Sequence, residues 1–298
     1  MIDGLVERYL STYLLTTHKE NTMTDLYPLA WSTLGSPAWS FEETVAQAAA
    51  NGYRALEVRL LDGEIIPVDL SAERRQAMKR VLQQHNVEII GLGLSTRFSS
   101  PDTEDRKANI ELLRRYLELA NDLGAPMVRT FGGNVVEGST LDQAIDWVAQ
   151  GLIGAVATAE AQGVTVVLET HDAFCRGAEV ARVLAQVNSP YIAAVWDIHH
   201  PYRMGESIEE TWALIGSRVK HVHLKDGIKR PDGSWQLVLL GEGELPCQAA
   251  VQLLHDQGYT GYLSAEWEKK WHPEIAEPEV AMPQHAQVMR QWMAAVSQ

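Results

Sequence analysis

Short apolar runs alternate with longer amphipathic stretches from Leu26 to the C-terminus. Eight runs have the length and the β-branched or aromatic content of buried strands: 27–33 (YPLAWST), 53–60 (YRALEVRL), 87–95, 126–133, 164–172 (VTVVLETHD), 191–197, 219–225 and 261–267. The segments between them repeat apolar residues at helical spacing. They predict helices opening at Ser40 and spanning 71–85, 102–123, 141–162, 177–187, 208–218, 247–257 and 279–296. Ser40 with Glu43 matches a capping box, and Gly52 and Gly124 stand where helices should stop. A turn-rich insertion, DGIKRPDGSWQLVLLGEGELP, separates the seventh strand from the seventh helix.

Strand and helix in strict alternation imply right-handed βαβ units and a parallel sheet. Eight units close most economically into a (β/α)8 TIM barrel over residues 26–298, with the functional site at the C-terminal ends of the strands. An open doubly wound sheet is the competing fold, but no strand leads into GxGxxG or a Walker loop. No linker or composition break divides the chain. Residues 1–25 form an N-terminal extension, where Ile2, Leu5, Val6, Tyr9, Leu10, Tyr13 and Leu14 draw one helical stripe. That stripe suits a helix docked on the barrel floor or on a second subunit of a homo-oligomer; the alternative is a poorly ordered tail, with Met23 as the natural start.

Composition narrows the function classes. A formal net charge of -14 argues against a nucleic-acid partner, which would need an excess of Lys and Arg to replace counterions. No apolar run approaches the ~20 residues of a membrane span, and Asp3, Glu7 and Arg8 interrupt the only candidate leader. Cys175 and Cys247 are the only cysteines, which fits a reducing cytoplasm.

The chemistry sits at the strand ends. VTVVLETHD stops on Glu169, Thr170, His171 and Asp172; IAAVWDIHH on Asp197, His199 and His200; VKHVHLKD on His221, His223, Lys225 and Asp226; GYLSAEWE on Glu266 and Glu268. Burying such groups unpaired is costly, so four such ends in succession point to one shared site. Alternation along each strand puts Glu169 in phase with Thr165 and Val167, Asp197 with Ala193 and Val195, His223 with His221, and Glu266 with Ser264. If those faces line the barrel, Glu169, Asp197, His223 and Glu266 converge at its mouth. Three carboxylates and an imidazole suit a divalent ion of intermediate hardness, Mn²⁺ first, with Mg²⁺, Co²⁺ or Zn²⁺ as alternatives. The same spacing makes His221 a residue of the barrel interior and turns His199 away from Asp197, to pack behind the sheet.

The ordered set LEVR, LETHD, WDIHHP, HVHLKD, GEGELP and SAEWE resembles the xylose isomerase-like barrel superfamily, the sugar phosphate isomerase/epimerase group. The resemblance covers residues 26–298. It implies that Glu169, Asp197, His223 and Glu266 bind the metal and that His200, three residues after Asp197, contacts substrate. Ketose 3-epimerases of the group usually carry a second glutamate soon after the strand-five ligand and an arginine beyond the strand-seven histidine. Here His171 and Asp172, and Lys225 and Lys229, stand in those regions, which looks more like the broader isomerase and dehydratase members. The group's abasic-site endonucleases need further histidines at strands three and four; this chain has Ser95, Thr96 and Arg97, and Arg129, Thr130 and Phe131.

The expected reaction is proton abstraction next to the carbonyl of a ketose, aldose or cyclitol. Glu169 or Glu266 removes the carbon-bound proton while the other, or His200, returns one elsewhere. Lys225 is positioned to donate a proton to a leaving hydroxyl or to neutralise the intermediate. Arg59, Arg97 and Arg129 can anchor a carboxylate or phosphate. His171 and aromatic residues near strand ends, Trp31 among them, can contact the substrate. Isomerase or epimerase is the first reading. A lyase, either an inosose-type dehydratase or an eliminating enzyme for oxidised glycosides, is the alternative, followed by a non-catalytic sugar-binding barrel.

Overall fold

A computed structural model describes residues 26–296; the helix expected over residues 1–25 lies outside them. The eight strands are β1 (Leu29–Ser32), β2 (Ala55–Val58), β3 (Glu88–Gly93), β4 (Met127–Thr130), β5 (Thr165–Glu169), β6 (Ile192–Asp197), β7 (Val219–Leu224) and β8 (Leu263–Ala265). They pair in parallel in chain order, and β8 pairs with β1, so the sheet closes on itself. The alternating helices are α1 (Phe41–Ala50), α2 (Ala72–His85), α3 (Thr103–Leu123), α4 (Leu141–Gln162), α5 (Gly177–Ala185), α6 (Ile208–Ile215), α7 (Cys247–Asp256) and α8 (Pro278–Val296). This is the (β/α)8 barrel that the hydrophobic alternation implies.

The helix ends follow the local sequence. The Ser40 hydroxyl accepts the Glu43 amide at 3.1 Å and starts α1, while Thr140 with Gln143 and Ser207 with Glu210 form complete capping boxes. Gly124, at φ +77°, closes α3 in the left-handed conformation that a side chain would oppose. No helix among the described residues is long and apolar enough to cross a membrane.

The barrel has two cores. Ala30, Ala55, Ile90, Met127, Val167, Ala193 and Val195 fill the floor of its interior, and a much larger cluster lies between strands and helices. Two register shifts adjust the phase of the interior. One, between Leu56 and Glu57, pairs Glu57 with Gly91; the other, between Ala194 and Val195, pairs Val195 with His221 and Asp197 with His223. Such bulges re-aim side chains beside functional sites.

The turn-rich insertion contains an antiparallel hairpin, Asp226–Lys229 with Trp235–Val238. Asp226 is its anchor rather than part of the site. Its carboxylate accepts four backbone amides, those of Gly227, Gly241, Gly243 and Leu245, at 2.8–3.1 Å. A Cβ on Gly243 would lie 2.1 Å from Asp226 Oδ1, so the close approach requires glycine there. Asp226→Ala strands four donors and is expected to cost about 2–4 kcal/mol. Urea denaturation measures the loss, and faster proteolysis between residues 227 and 245 would locate it.

Candidate functional site

Alternation along the strands delivers four chemical groups to the mouth. Glu169 ends β5, Asp197 ends β6, His223 lies one residue before the end of β7, and Glu266 follows β8. All four are buried, and one ligand-type atom from each lies within 4.8 Å of the others.

The orientation of His223 decides what this cluster can hold. Its Nε2 lies 2.7 Å from Glu57 Oε2. A carboxylate only accepts, so that nitrogen carries a proton. The other nitrogen, Nδ1, faces Glu169 Oε1 at 3.2 Å and Glu266 Oε1 at 3.4 Å. In the neutral ring Nδ1 is a lone pair, and three acceptors then confront one another without a donor. Only a proton or a cation among them relieves the repulsion. Burial opposes charging the ring, but Glu266, Glu57 and Glu169 outweigh it and hold the imidazolium well above the usual histidine range. Burial likewise pushes Asp197 up to about 7, with Glu266 and Glu169 adding to the rise against the pull of Lys225. Three carboxylates and an imidazole in this arrangement fit a divalent ion of intermediate hardness.

Lys225 supplies a second positive charge beside the first. Its Nζ is 2.7 Å from Asp197 Oδ2 and 2.8 Å from Glu266 Oε2, and it also bonds Glu268 Oε1. Burial disfavours the ammonium, yet Asp197, Glu266 and Glu268 keep it protonated well above the usual lysine range. His200 Nε2 lies 3.4 Å from both Lys225 Nζ and Asp197 Oδ2. Burial and the Lys225 ammonium push His200 far below its usual value, so its ring is neutral.

The three arginines separate. Arg129 Nε sits 3.2 Å from Glu169 Oε2, and its guanidinium lies over the Phe131 ring at 4.2 Å. Arg59 donates to Gly93 O at 3.0 Å and Ser95 Oγ at 2.8 Å; burial, then Arg129, pulls it down to about 10. Arg97 is exposed, its backbone amide donating to Asn109 Oδ1. His171 is half-buried, with its ring 4.5 Å from those of both Phe131 and His200.

Two expectations need correction. Trp31 does not face the mouth. Its neighbour Ala30 fills the interior, so alternation turns Trp31 outward, fully buried against Tyr53 and His285. The indole donates to Ser36 Oγ, and a Cβ on Gly35 would lie 2.5 Å from its Cζ2. His199 is not behind the sheet. The chain leaves β6 through a short helix, His199–Arg203, so strand alternation no longer applies. The His199 amide donates to Asp197 Oδ1 at 2.9 Å, and its ring stacks on His200 and meets Trp235 edge-on. A cleft of about 460 Å³ opens there, lined among others by His199, His200, Trp235, Glu268 and His272. It adjoins the cluster through His200 and Glu268.

Glu57 was missing from the set read from strand ends, and Glu268, though part of it, was given no role there. Glu57 shares a face with Ala55 and Arg59, and that phase was available in YRALEVRL. Glu268 is in phase with Glu266 and stands at the cleft wall. His221 lies inside the barrel, its Nε2 3.1 Å from Glu57 Oε2.

Comparison with known proteins adds relatives to this geometry. A family model described as xylose isomerase-like TIM barrel matches residues 45–292. Fructoselysine 3-epimerase of Escherichia coli O157:H7 is 23% identical over 246 residues, covering 78% of this chain and 88% of the relative. Inosose dehydratase of Clostridium perfringens (strain 13 / Type A) is 25% identical over 291 residues, covering 87% and 93%. Among solved structures, the IOLI protein with a binding zinc atom superposes with a TM-score of 0.75 at 18% identity, over 90% of this chain and 97% of the other.

Proposed function

The chain belongs to the xylose isomerase-like TIM barrel family, and from that premise we propose that it is a divalent-metal-dependent sugar isomerase or epimerase. Its substrate is a ketose, aldose or cyclitol that loses a proton next to its carbonyl. One observation carries the reading: His223 Nδ1, Glu169 Oε1 and Glu266 Oε1 converge at 3.2–3.4 Å with no donor other than a ring proton among them. Glu169, Asp197, His223 and Glu266 would hold the ion, with Mn²⁺ the first choice for this donor set. The ion supplies polarisation of the substrate carbonyl and charge balance for the oxygen that turns negative when the neighbouring carbon loses its proton.

The side chains supply the rest. Arg129 grips Glu169 Oε2 and leaves Oε1 facing the centre. One of Glu169 and Glu266 accepts the carbon-bound proton and the other returns a proton. Return to the opposite face is epimerisation, and return to the adjacent carbon is isomerisation. His200, being neutral, serves as a hydrogen-bond partner for a substrate hydroxyl entering from the cleft. Arg97, exposed near the strand-three end, is the arginine free to reach an anionic group on the substrate.

Lys225 favours a second reading, a dehydratase. Its buried ammonium lies in reach of Glu266 and His200, where it can protonate a hydroxyl leaving from the β-carbon. The 25% identity with an inosose dehydratase over 87% of this chain supports the same reading.

Incubating ketoses and inososes with Mn²⁺-loaded protein in D₂O tests both. Deuterium in recovered sugar or in a stereoisomer is the expected result for an epimerase, and an unsaturated or dicarbonyl product is the result for a lyase. Absence of exchange and of product across both substrate classes would overturn the proposal.

A further inference from the structure

Glu57 is a buried acid outside the four converging groups, and nothing in their proposed chemistry uses it. It lies on β2, across the barrel lumen from β7 rather than next to it. A register shift in the pairing with β3 falls immediately before it, placing Glu57 beside Gly91. One oxygen, Oε2, takes both imidazoles of β7, His221 Nε2 at 3.1 Å and His223 Nε2 at 2.7 Å. The other, Oε1, is 3.9 Å from Arg129 Nε, which itself grips Glu169. Glu57 is only 2% exposed, with His221, His223 and Arg129 around its carboxylate.

We propose that Glu57 is a positioning residue for the ion site: by holding the proton on His223 Nε2, it keeps the Nδ1 lone pair aimed at the point where Glu169 and Glu266 converge. The proposal rests on the reading of the four side chains as ligands. Hydrogen bonding at the far nitrogen of a ligating imidazole fixes its tautomer and orientation and raises its basicity. His221 completes the device from the other side. By donating to the same oxygen, it fixes the carboxylate that fixes His223. Glu57, His221 and His223 also form a group close enough to hold an ion of their own. That alternative would require His223 Nε2 to give up its proton to a second ion, with the Glu57 oxygen turned from hydrogen-bond acceptor to ligand.

Two measurements on the whole chain separate the cases. Calorimetric titration with Mn²⁺ is expected to find one ion per chain, bound about 10–100-fold more weakly by Glu57→Gln. Circular dichroism and thermal melting of the same sample establish that the barrel is intact. Independently of any variant, ¹⁵N spectra of the histidines in the unaltered protein report which ring nitrogen keeps its proton when an ion binds. The expected spectrum shows His223 protonated at Nε2, with Nδ1 shifting when Zn²⁺ is added. Unchanged affinity in a folded Glu57→Gln, a shift at Nε2 instead of Nδ1, or two ions per chain of which the variant loses one, would each overturn the proposal. If the unaltered protein binds no ion at all, the ligand reading itself has failed, which is a distinct outcome.

Discussion

Glu266→Gln is expected to lower kcat/KM about 10³-fold, a loss in the middle of the range for removing a general acid or base and worth about 4 kcal/mol of transition-state stabilisation. Glu266 is the point at which both halves of the site meet. Oε1 faces His223 Nδ1 at 3.4 Å, and Oε2 accepts Lys225 Nζ at 2.8 Å. The amide keeps the volume of the carboxylate and one accepting oxygen, so Lys225 retains Asp197 and Glu268 as partners and the barrel keeps its packing. What the variant loses is the negative charge and the ability to carry a proton. Steady-state turnover with saturating Mn²⁺ separates those effects from weakened ion binding. A variant that turns over at the unaltered rate would remove Glu266 from the proton path.

Lys225→Met should have the largest effect on stability, about 3–5 kcal/mol, because it deletes one member of a buried ionic network and leaves the others uncompensated. Asp197 Oδ2, Glu266 Oε2 and Glu268 Oε1 all turn to this one ammonium. Methionine fills much of the aliphatic volume, so the cost reports charge rather than a cavity. Chemical denaturation after chelation gives the value, and a loss below about 1 kcal/mol would show that water reaches the three carboxylates. Because a bound cation balances the same charge, adding Mn²⁺ should recover part of the loss. The variant also tests the dehydratase reading, since epimerisation needs no acid at a leaving hydroxyl whereas elimination does.

The strand ends were legible because two periodicities coincide. Each of β5 to β8 alternates interior and exterior residues, and each ends its interior series on a carboxylate or an imidazole, so Glu169, Asp197, His223 and Glu266 fall on one face by counting in twos. Trp31 obeys the same rule. Ala30 is the interior residue of β1, and an indole one position later must face the helices. Its proximity to a strand end says nothing about its direction. His199 escaped the rule for a different reason. The chain turns helical at that residue, and the period changes from two to about 3.6.

Glu57 illustrates what the linear pattern could not supply. An acid in the middle of β2, two residues before Arg59, reads as half of a local ion pair. Its actual partners, His221 and His223, are more than 160 positions away and sit on a strand that never pairs with β2. Only closure of the barrel brings them together across the lumen. Lys225 is similar. Its strand end was visible, but three carboxylates on one ammonium require β6, β7 and the segment after β8 to be assembled.

Metal content bears most directly on the site as a whole. The purified full-length chain, stripped with a chelator, dialysed and reloaded with Mn²⁺, should retain one ion per chain by elemental analysis, and its melting temperature should rise on reloading. Replacing His223 with alanine should abolish both the stoichiometric ion and the rise. Protein that retains no divalent ion after reloading, with a melting temperature indifferent to Mn²⁺, Mg²⁺, Co²⁺ and Zn²⁺, would contradict the assignment of Glu169, Asp197, His223 and Glu266 as ligands.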